Sequence, residues 1–162
     1  MRYAVTGRLT VKARSSIHDT TTTWDRVTGD VEADPEQIED ARATFRVDMT
    51  SFDAGDWLKN RKLRKDFALD DHPSATFRLE RVSVTKRDGA RFEATATGTL
   101  EWRGKQVALE LAGKGTLDAA RVAADATFEL DIKRLGLQAP KLFLFKVEDV
   151  VTVAVTLAGA AT

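Results

Sequence analysis

The sequence lacks several residue types on which common protein chemistries depend. It contains no cysteine, which excludes disulfides and thiolate chemistry. It contains only two histidines, His18 and His72, which excludes a histidine-rich metal site, and we predict no bound metal or cofactor. Its 25 basic and 25 acidic residues balance, which argues against a general nucleic-acid binder. No apolar run approaches the ~20 residues of a membrane-spanning helix.

The length and the N-terminus bound the organisation of the chain. A length of 162 residues predicts a single domain, spanning residues 1–162, with a substantial buried core. The N-terminal segment Met1–Ser16 lacks the apolar stretch of a signal peptide. The sequence as written therefore predicts a cytoplasmic protein, although a mature periplasmic form would look the same.

Most of the chain alternates apolar and polar residues, which is the pattern of half-buried antiparallel strands. The alternation predicts eight strands: Tyr3–Ala13, Trp24–Ala33, Ala41–Met49, a strand from Ser74, Phe92–Trp102, Val107–Leu117, Val122–Ile132 and Val147–Leu157. We interpret Ser15–Thr23 as an edge or loop, Glu36–Asp40 as a break and Ala158–Thr162 as a frayed tail. The regular turn spacing favours a β-sandwich or an up-and-down barrel.

Local irregularities add detail to this pattern. The inward phase slips by one residue between Leu79 and Val82, which predicts a β-bulge in the fourth strand. Asp88-Gly89 predicts a hairpin turn, and Arg103-Gly104 predicts a second tight turn.

One stretch, Ser51–Phe77, breaks the alternation and predicts a short helix after the third strand. Its apolar stripe has uneven but broadly helical spacing: Trp57, Leu58, Leu63 and Phe67. Basic residues fill the rest of its surface: Lys59, Arg61, Lys62, Arg64 and Lys65. Asp53 is the predicted N-cap and His72-Pro73 the predicted stop. A basic amphipathic helix in this position would plug or cover whatever the strands enclose.

The inward faces of three neighbouring strands are rich in small residues, namely Ala94, Ala96, Gly98, Gly113, Gly115, Ala124 and Ala126. An eight-stranded barrel either fills its interior with side chains or leaves room for one small ligand. Small residues would leave space for a long apolar ligand, because protein interiors otherwise pack densely. They would equally suit a tapering barrel or a site where the helix packs, and the pattern alone does not choose between these interpretations.

Three segments in order resemble the signature of the YceI-like family of lipid-binding proteins. The matching residues of the helical stretch are Ser51, Phe52, Asp53, Ala54, Gly55, Leu63, Arg64, Asp66, Phe67, Pro73, Ala75, Thr76 and Phe77. A later hairpin matches at Gly98, Leu100, Arg103, Gly104, Val107 and Leu109, and a third segment at Arg134, Gly136, Val147 and Val150. The resemblance covers nearly the whole chain after about residue 26.

This resemblance implies an all-β fold, an eight-stranded antiparallel lipocalin-like β-barrel with one short basic amphipathic helix inserted after strand three. It also implies an elongated apolar pocket. The pocket would bind a polyisoprenoid or another long-chain amphiphile, such as a fatty-acyl lipid, for transport, storage or sequestration. A monomer or a homodimer is the implied assembly.

Two sets of residues form the predicted binding site. The pocket set consists of inward-facing residues: Leu9, Phe45, Phe77, Leu79, Ala94, Ala96, Leu109, Ala126, Phe128 and Val153. The head-group set consists of Arg61, Arg64 and His18, because a pyrophosphate or carboxylate at a pocket mouth needs fixed cationic donors. The competing interpretation is a solvated helix face and an ordinary surface histidine. We interpret His72, before Pro73, as structural.

Two other function classes stay open. A barrel of this shape can host a cyclase or dehydratase acting on an apolar substrate, which requires a positioned acid or base. The sequence shows no nucleophile–base pair, and Asp53, Asp66 and Asp131 are the acids to test. A filled barrel with a structural or partner-binding role is the third class.

Overall fold

Strands dominate the part of the chain that the structure describes. The computed structural model describes residues 1–15, 19–137 and 147–162. Its strands are β1 (Arg2–Ser15), β2 (Thr20–Asp34), β3 (Gln37–Asp48), β4 (Phe52–Asp53), β5 (Ser74–Asp88), β6 (Arg91–Trp102), β7 (Lys105–Leu117), β8 (Arg121–Asp131) and β9 (Val147–Ala161). Its helices are α1 (Trp57–Asp66) and a 3₁₀ helix (Ile132–Leu135).

The eight long strands close into one antiparallel barrel. Their order is β1-β9-β8-β7-β6-β5-β3-β2, and pairing of β1 with β2 completes the ring. The two-residue β4 pairs with β2 beyond the end of β3. Closure leaves no long strand at an open edge. The barrel interpretation is therefore correct and the sandwich interpretation is wrong. The predicted helix, α1, lies after the third long strand, β3, and the two-residue β4.

The predicted local irregularities are also present. The register between β5 and β6 shifts between Leu79 and Arg81, where the phase slip predicts a bulge. The turn from β6 to β7 consists of Arg103 and Gly104, whose φ angles are 56° and 73°. Two consecutive positive φ values are the signature of a type I′ hairpin turn, so the predicted bulge and the predicted Arg103-Gly104 turn are confirmed. The hairpin predicted at Asp88-Gly89 also forms, with Gly89 and Ala90 as its two turn residues.

The C-terminal residues form strand, and the prediction of a frayed tail over Ala158–Thr162 is wrong. β9 continues to the penultimate residue, and the Thr162 N–H donates to the Arg2 carbonyl at 2.9 Å. A Cβ at Gly159 would lie 1.9 Å from the Ala4 carbonyl oxygen, so the close approach of β9 to β1 requires glycine at this position. Small residues here permit close backbone approach instead of marking disorder.

Two polar segments belong to strands that begin earlier than the alternation pattern predicted. Residues 20–23, part of the segment interpreted as an edge or loop, begin β2 and pair with β1. Residues 37–40, predicted to be a break, begin β3, and the turn consists of Pro35 and Glu36. Outward strand positions accommodate threonine and carboxylates, so polar composition alone does not separate them from loops.

Buried side chains form two groups, one toward each end of the barrel. The group at the α1 end includes Trp24, Met49, Leu69, Trp102 and Leu135. The group at the opposite end includes Tyr3, Ile38, Val82 and Leu117. The Tyr3 hydroxyl donates to the Asp118 carbonyl at 2.7 Å at that opposite end. Members of both groups line the cavity that lies inside the barrel.

Candidate functional site

An apolar cavity of about 330 Å³ lies inside the barrel. All eight long strands contribute to its lining, as do residues that follow α1 and β8. Every lining side chain is apolar, and no polar or charged side chain is buried among the described residues. The volume lies near the lower end of the range for small-molecule pockets, about 300–1,000 Å³. An occupant would therefore meet hydrocarbon and aromatic surface rather than hydrogen-bonding groups.

The ten predicted pocket residues all line this cavity: Leu9, Phe45, Phe77, Leu79, Ala94, Ala96, Leu109, Ala126, Phe128 and Val153. Their placement follows from strand alternation, because each belongs to the inward-facing set of its strand. That they contact a ligand stays a prediction. The predicted set missed lining residues at the end opposite α1, among them Val5, Ile38 and Leu117, although Val5 and Leu117 share the inward phase.

Most of the small residues line the cavity, as the open-barrel interpretation predicts: Ala94, Ala96, Gly113, Ala124 and Ala126. Gly98 is instead covered by Phe77 and approaches the backbone of β5, because a Cβ there would lie 2.3 Å from the ring Cζ and 2.3 Å from the Arg78 carbonyl oxygen. Gly115 permits backbone approach, because a Cβ there would lie 2.0 Å from the Ala123 carbonyl oxygen. The buried residue of α1, Leu63, packs in the group at the α1 end, so the helix-packing interpretation is wrong for the residues that line the lumen.

A second pocket, of about 80 Å³, lies between α1 and the ends of β1, β2 and β9, and we call it the helix-side pocket. It shares part of its lining with the main cavity: Val11, Trp24, Phe67, Ile132 and Val151. Other lining residues are polar or charged: Thr20, Thr22, Lys59, Lys62 and Glu148. The shared side chains thus separate an apolar lumen from a charged rim.

The N-cap of α1 is Asp56, and the predicted N-cap, Asp53, is wrong. The Asp56 carboxylate accepts the Lys59 N–H at 2.8 Å, which satisfies one of the free amides of the first turn. Asp53 accepts the Gly55 N–H at 2.9 Å in the preceding loop. The first turn therefore begins three residues later than the sequence pattern indicated.

The helix ends before the predicted stop at His72. Ala68 adopts a positive φ of 49°, which turns the chain out of the helix. Arg103 stabilises this turn, because its Nη1 donates a hydrogen bond to the Phe67 carbonyl at 2.5 Å. The His72 carbonyl accepts the Trp102 Nε1–H at 2.9 Å, so His72 contributes to the connection through its backbone. The hairpin turn between β6 and β7 thus anchors the C-terminal end of α1.

Only half of the predicted apolar stripe of α1 faces the barrel. Leu63 is buried and Phe67 is half-buried, whereas Trp57 is 70% exposed and Leu58 is 50% exposed. At 3.6 residues per turn, Leu63 lies roughly 240° around the helix from Trp57. The prediction of one apolar stripe that joins Trp57 and Leu58 to Leu63 and Phe67 is therefore wrong.

Among the residues that the structure describes, Lys59 and Lys62 are the basic residues that line the helix-side pocket. Lys62 Nζ lies 3.1 Å from Asp66 and Lys59 Nζ lies 4.0 Å from Asp56, so both pairs run along the helix. The basic cluster of the helical stretch, which was the candidate head-group site, includes both lysines, but the prediction selected Arg61 and Arg64 from it. The sequence did indicate the position of Lys59, because Lys59 lies one turn before the buried Leu63 and therefore on the same side of the helix.

The predicted head-group residues lie elsewhere. Arg61 and Arg64 line neither the main cavity nor the helix-side pocket. The Arg64 guanidinium carbon lies 5.3 Å from the centroid of the Phe52 ring, and its Nε lies 3.7 Å from an Asp70 carboxylate oxygen. His18 lies outside the described residues. A head-group role for Arg61, Arg64 and His18 stays a prediction.

The acids considered for catalysis do not line the main cavity. Asp53 accepts the Gly55 N–H and the side-chain amide of Asn60, and Asp66 pairs with a lysine of α1. Asp131 caps the 3₁₀ helix by accepting the Lys133 N–H at 3.0 Å. Residues 1–15, 19–137 and 147–162 contain no cluster of three or more histidine or carboxylate side chains that could hold a metal ion. None of the helices in these ranges has the length and apolar character to cross a membrane.

The clearest pKa shifts belong to groups near the ends of the barrel. Hydrogen bonds from Thr50, first from its hydroxyl and then from its N–H, lower the pKa of Asp48. Two backbone N–H groups lower the pKa of Asp118. Burial raises the pKa of Tyr3, and nearby carboxylates add a smaller effect. None of these groups lines the main cavity, so their titration does not act directly on the lumen.

The closed antiparallel barrel and its enclosed apolar lumen define a lipocalin-like β-barrel protein. Within that class, the chain belongs to the YceI-like family, since the family model described as the YceI-like domain matches residues 3–158. The resemblance drawn from three sequence segments is confirmed. A comparison with curated proteins finds no match.

Several solved structures share this fold. BcnA of Burkholderia cenocepacia matches with a TM-score of 0.77 and 20% sequence identity over 96% of each chain. A polyisoprenoid binding domain from Saccharophagus degradans, implicated in plant cell wall breakdown, matches with a TM-score of 0.76 and 16% identity over 99% of this chain and 98% of that chain. The YceI protein of Campylobacter jejuni matches with a TM-score of 0.70 and 14% identity, covering 87% of this chain and 84% of its own. At these identities the likeness shows a common fold.

Proposed function

We propose that this protein binds one long-chain lipid, of the polyisoprenoid or fatty-acyl type, inside the main cavity. The observation that carries the proposal is the lining, because all eight long strands present apolar side chains to one lumen. A polar group placed there would give up its hydrogen bonds to water without replacing them, at a cost of roughly 2–7 kcal/mol. The lumen therefore favours a hydrocarbon chain.

An empty lumen of this size lowers the stability of the fold, because the side chains that line it lose packing contacts. Engineered apolar cavities destabilise proteins by about 24 cal/mol per Å³, so a volume of about 330 Å³ corresponds to a loss on the order of 8 kcal/mol. The whole free energy of unfolding of a typical domain is about 5–15 kcal/mol. A hydrocarbon that fills the lumen restores these contacts, so the ligand-bound form should unfold at a clearly higher temperature.

The polar end of the ligand is proposed to lie in the helix-side pocket. Lys59 and Lys62 supply ammonium groups to this pocket, Thr20 and Thr22 supply hydroxyls, and Glu148 is the single carboxylate of its described lining, so the cations outnumber it. A phosphate or carboxylate forms charge-assisted hydrogen bonds with such donors. The existing pairs of both lysines are partly exposed and contribute at most about 1 kcal/mol each, so exchanging them for a ligand head group costs little.

Binding without chemical conversion is the proposed activity, in transport, storage or sequestration of the lipid. The acids considered for catalysis lie away from the lumen, which favours a carrier over a cyclase or dehydratase. The shared fold with the polyisoprenoid binding domain of Saccharophagus degradans supports an isoprenoid as one ligand class. A lumen with room for an occupant favours a carrier over a filled structural barrel.

Native mass spectrometry of the purified protein, followed by organic extraction, tests this proposal. We expect one long-chain species to co-purify with each chain, or one added prenyl or acyl lipid to bind to each apo chain. Inorganic pyrophosphate serves as the control that presents a head group without a tail, and it should not bind appreciably. A bare protein mass before and after incubation with both lipid types would contradict the proposal and favour a filled barrel.

A further inference from the structure

The outer side of α1 carries two apolar and two basic residues whose side chains are exposed to solvent. Trp57 and Leu58 are largely exposed, and Arg61 and Lys65 are also exposed. At 3.6 residues per turn, these four positions fall within about 100° of the helix circumference. Two large apolar side chains and two cations therefore share one solvent-facing surface, which we call the outer strip of α1.

The outer strip is basic, and its cations are not neutralised locally. The acids at the two ends of α1, Asp56 and Asp66, pair with Lys59 and Lys62, which lie toward the pocket. Within the part of the chain that the structure describes, Arg61 and Lys65 form no ion pair. The protein as a whole has zero formal net charge, so this strip is a local positive patch that attracts an anionic surface.

We propose that the outer strip of α1 docks onto an anionic lipid bilayer. Tryptophan favours the interface between lipid head groups and acyl chains, because its ring is apolar while its N–H stays hydrated. A helix lying in the plane of the membrane would insert Trp57 and Leu58 among the lipids while Arg61 and Lys65 meet the phosphates. Each cation near an anionic surface strengthens binding by about fivefold.

The position of the outer strip relative to the cavities supports a membrane as its partner. The other side of the same helix, through Lys59, Lys62 and Leu63, lines the helix-side pocket. Docking through the outer strip would therefore hold the charged rim of the barrel close to the lipid surface. The outer strip does not line the main cavity, so vesicle binding and lipid uptake are separate measurements whose failures are distinguishable.

Tryptophan fluorescence reads this docking directly. Trp24 and Trp102 are buried, at 5% and 6% exposure, but both line the main cavity and would respond to lipid taken up there. The change in emission that is lost on Trp57→Phe is therefore the part that reports docking. The full chain would be titrated with vesicles of phosphatidylcholine and with vesicles in which a third of the lipid is phosphatidylglycerol. We expect a blue shift and co-sedimentation with the anionic vesicles at low salt, and weak binding to the neutral ones. High salt should reduce binding, because it screens the exposed cations.

Two double variants separate the apolar and the charged contributions. Trp57→Ala with Leu58→Ser should weaken vesicle binding by at least about tenfold, because it removes the apolar insertion. Arg61→Glu with Lys65→Glu should weaken it by more than about tenfold, because two attractions become repulsions. The matched control is Arg8→Glu with Arg91→Glu, which makes the same charge change on exposed positions of β1 and β6 and should bind nearly as wild type does.

Three results would overturn the proposal. The first is a wild-type chain that does not bind anionic vesicles at low salt. The second is equal binding by the Arg61–Lys65 variant and its control. The third is a dimer in lipid-free solution that depends on Trp57, seen by analytical ultracentrifugation, which would assign the strip to a second copy of the chain. Because Trp57 and Leu58 are exposed, circular dichroism should show that their variant folds as wild type does.

Discussion

Phe45 and Phe77 face each other directly across β3 and β5, with ring centroids 6.3 Å apart and ring planes 22° apart. Each ring covers a glycine on the strand at its other side, Gly29 in β2 for Phe45 and Gly98 in β6 for Phe77. The missing side chains let both rings lie against the barrel wall. These two glycines therefore help to determine how much of the lumen stays open.

A methyl group at Gly29 should push the Phe45 ring into the lumen. The new Cβ would lie 2.4 Å from Phe45 Cδ1, and its three nearest atoms all belong to side chains, so the ring can move while the backbone stays. Overpacking of this kind costs about 1–3 kcal/mol. We expect Gly29→Ala to melt at a lower temperature by calorimetry and to take up less lipid by native mass spectrometry.

Adding Phe45→Leu to Gly29→Ala should restore lipid uptake, because the smaller side chain leaves the lumen clear. If the double variant takes up no more lipid than Gly29→Ala alone, the Phe45 ring does not control the lumen.

Large side chains at Ala96 or Ala126 should block the cavity. Both residues line the lumen, on β6 and β8. We expect Ala96→Phe and Ala126→Phe each to abolish uptake of a long-chain lipid in native mass spectra while circular dichroism still shows a folded barrel. The matched control is Thr95→Phe, which adds a phenyl ring one residue away on the exposed face of β6 and should leave uptake unchanged. Unchanged uptake in both inward variants would place the ligand outside the lumen.

Charge removal on α1 should distinguish two candidate head-group sites. The sequence predicts that Arg61→Ala with Arg64→Ala weakens binding of acidic ligands more than that of neutral ones. The helix-side pocket predicts a larger selective loss for Lys59→Gln with Lys62→Gln, since these lysines line it. A hydrogen bond to a charged group contributes about 1.5–3 kcal/mol, or roughly 10- to 100-fold in Kd.

Titration calorimetry with a fatty acid and the alcohol of the same chain length measures this selectivity. If the lysine variant loses as much affinity for the alcohol as for the acid, the lysines do not hold the head group.

Asp48 should make stability depend on pH. Its Oδ1 accepts the Thr50 hydroxyl at 2.6 Å and the Thr50 N–H at 2.9 Å, and these bonds lower its pKa below the ordinary value of 3.8. A carboxyl with a lowered folded pKa stabilises the fold above its unfolded pKa and loses that contribution as the pH falls through its folded pKa. We expect Asp48→Asn to melt below wild type at pH 7 and the difference to shrink once the pH falls below about 3.8.

Thermal melts between neutral and acidic pH check this, with Thr50→Val as a second variant that should reduce the same pH dependence. A difference between Asp48→Asn and wild type that stays constant over the whole range would show that the carboxylate charge contributes nothing.

Much of the barrel could be predicted from the sequence, because alternate residues of a strand face opposite sides of the sheet. A local pattern of apolar and polar residues therefore shows which side chains face inward. The inward phase located all ten predicted lining residues, and a one-residue slip located the bulge between Leu79 and Arg81. Closure itself does not appear in any local pattern. It depended on the family resemblance, since the turn spacing alone also suited a sandwich.

What could not be predicted depends on contacts between distant segments. Gly98 and Gly113 look alike in the sequence, yet one is covered by a phenylalanine of β5 and the other opens the lumen. The position of α1 likewise depends on a distant segment, because Arg103 of the β6–β7 turn donates a hydrogen bond to the carbonyl of Phe67. In the resulting orientation Leu63 rather than Trp57 is buried, and lysines instead of arginines line the helix-side pocket.

The seam between β1 and β9 pairs Tyr3 with Ala161, residues separated by nearly the whole chain. During translation this seam is the last pairing that can form, because β9 follows every other strand. Pairings over such sequence distances are slow to form. Until β9 arrives, β1 and β8 are unprotected edges of a curled sheet whose inner face is apolar. The risk of aggregation during synthesis therefore depends on how soon β9 pairs with these two edges.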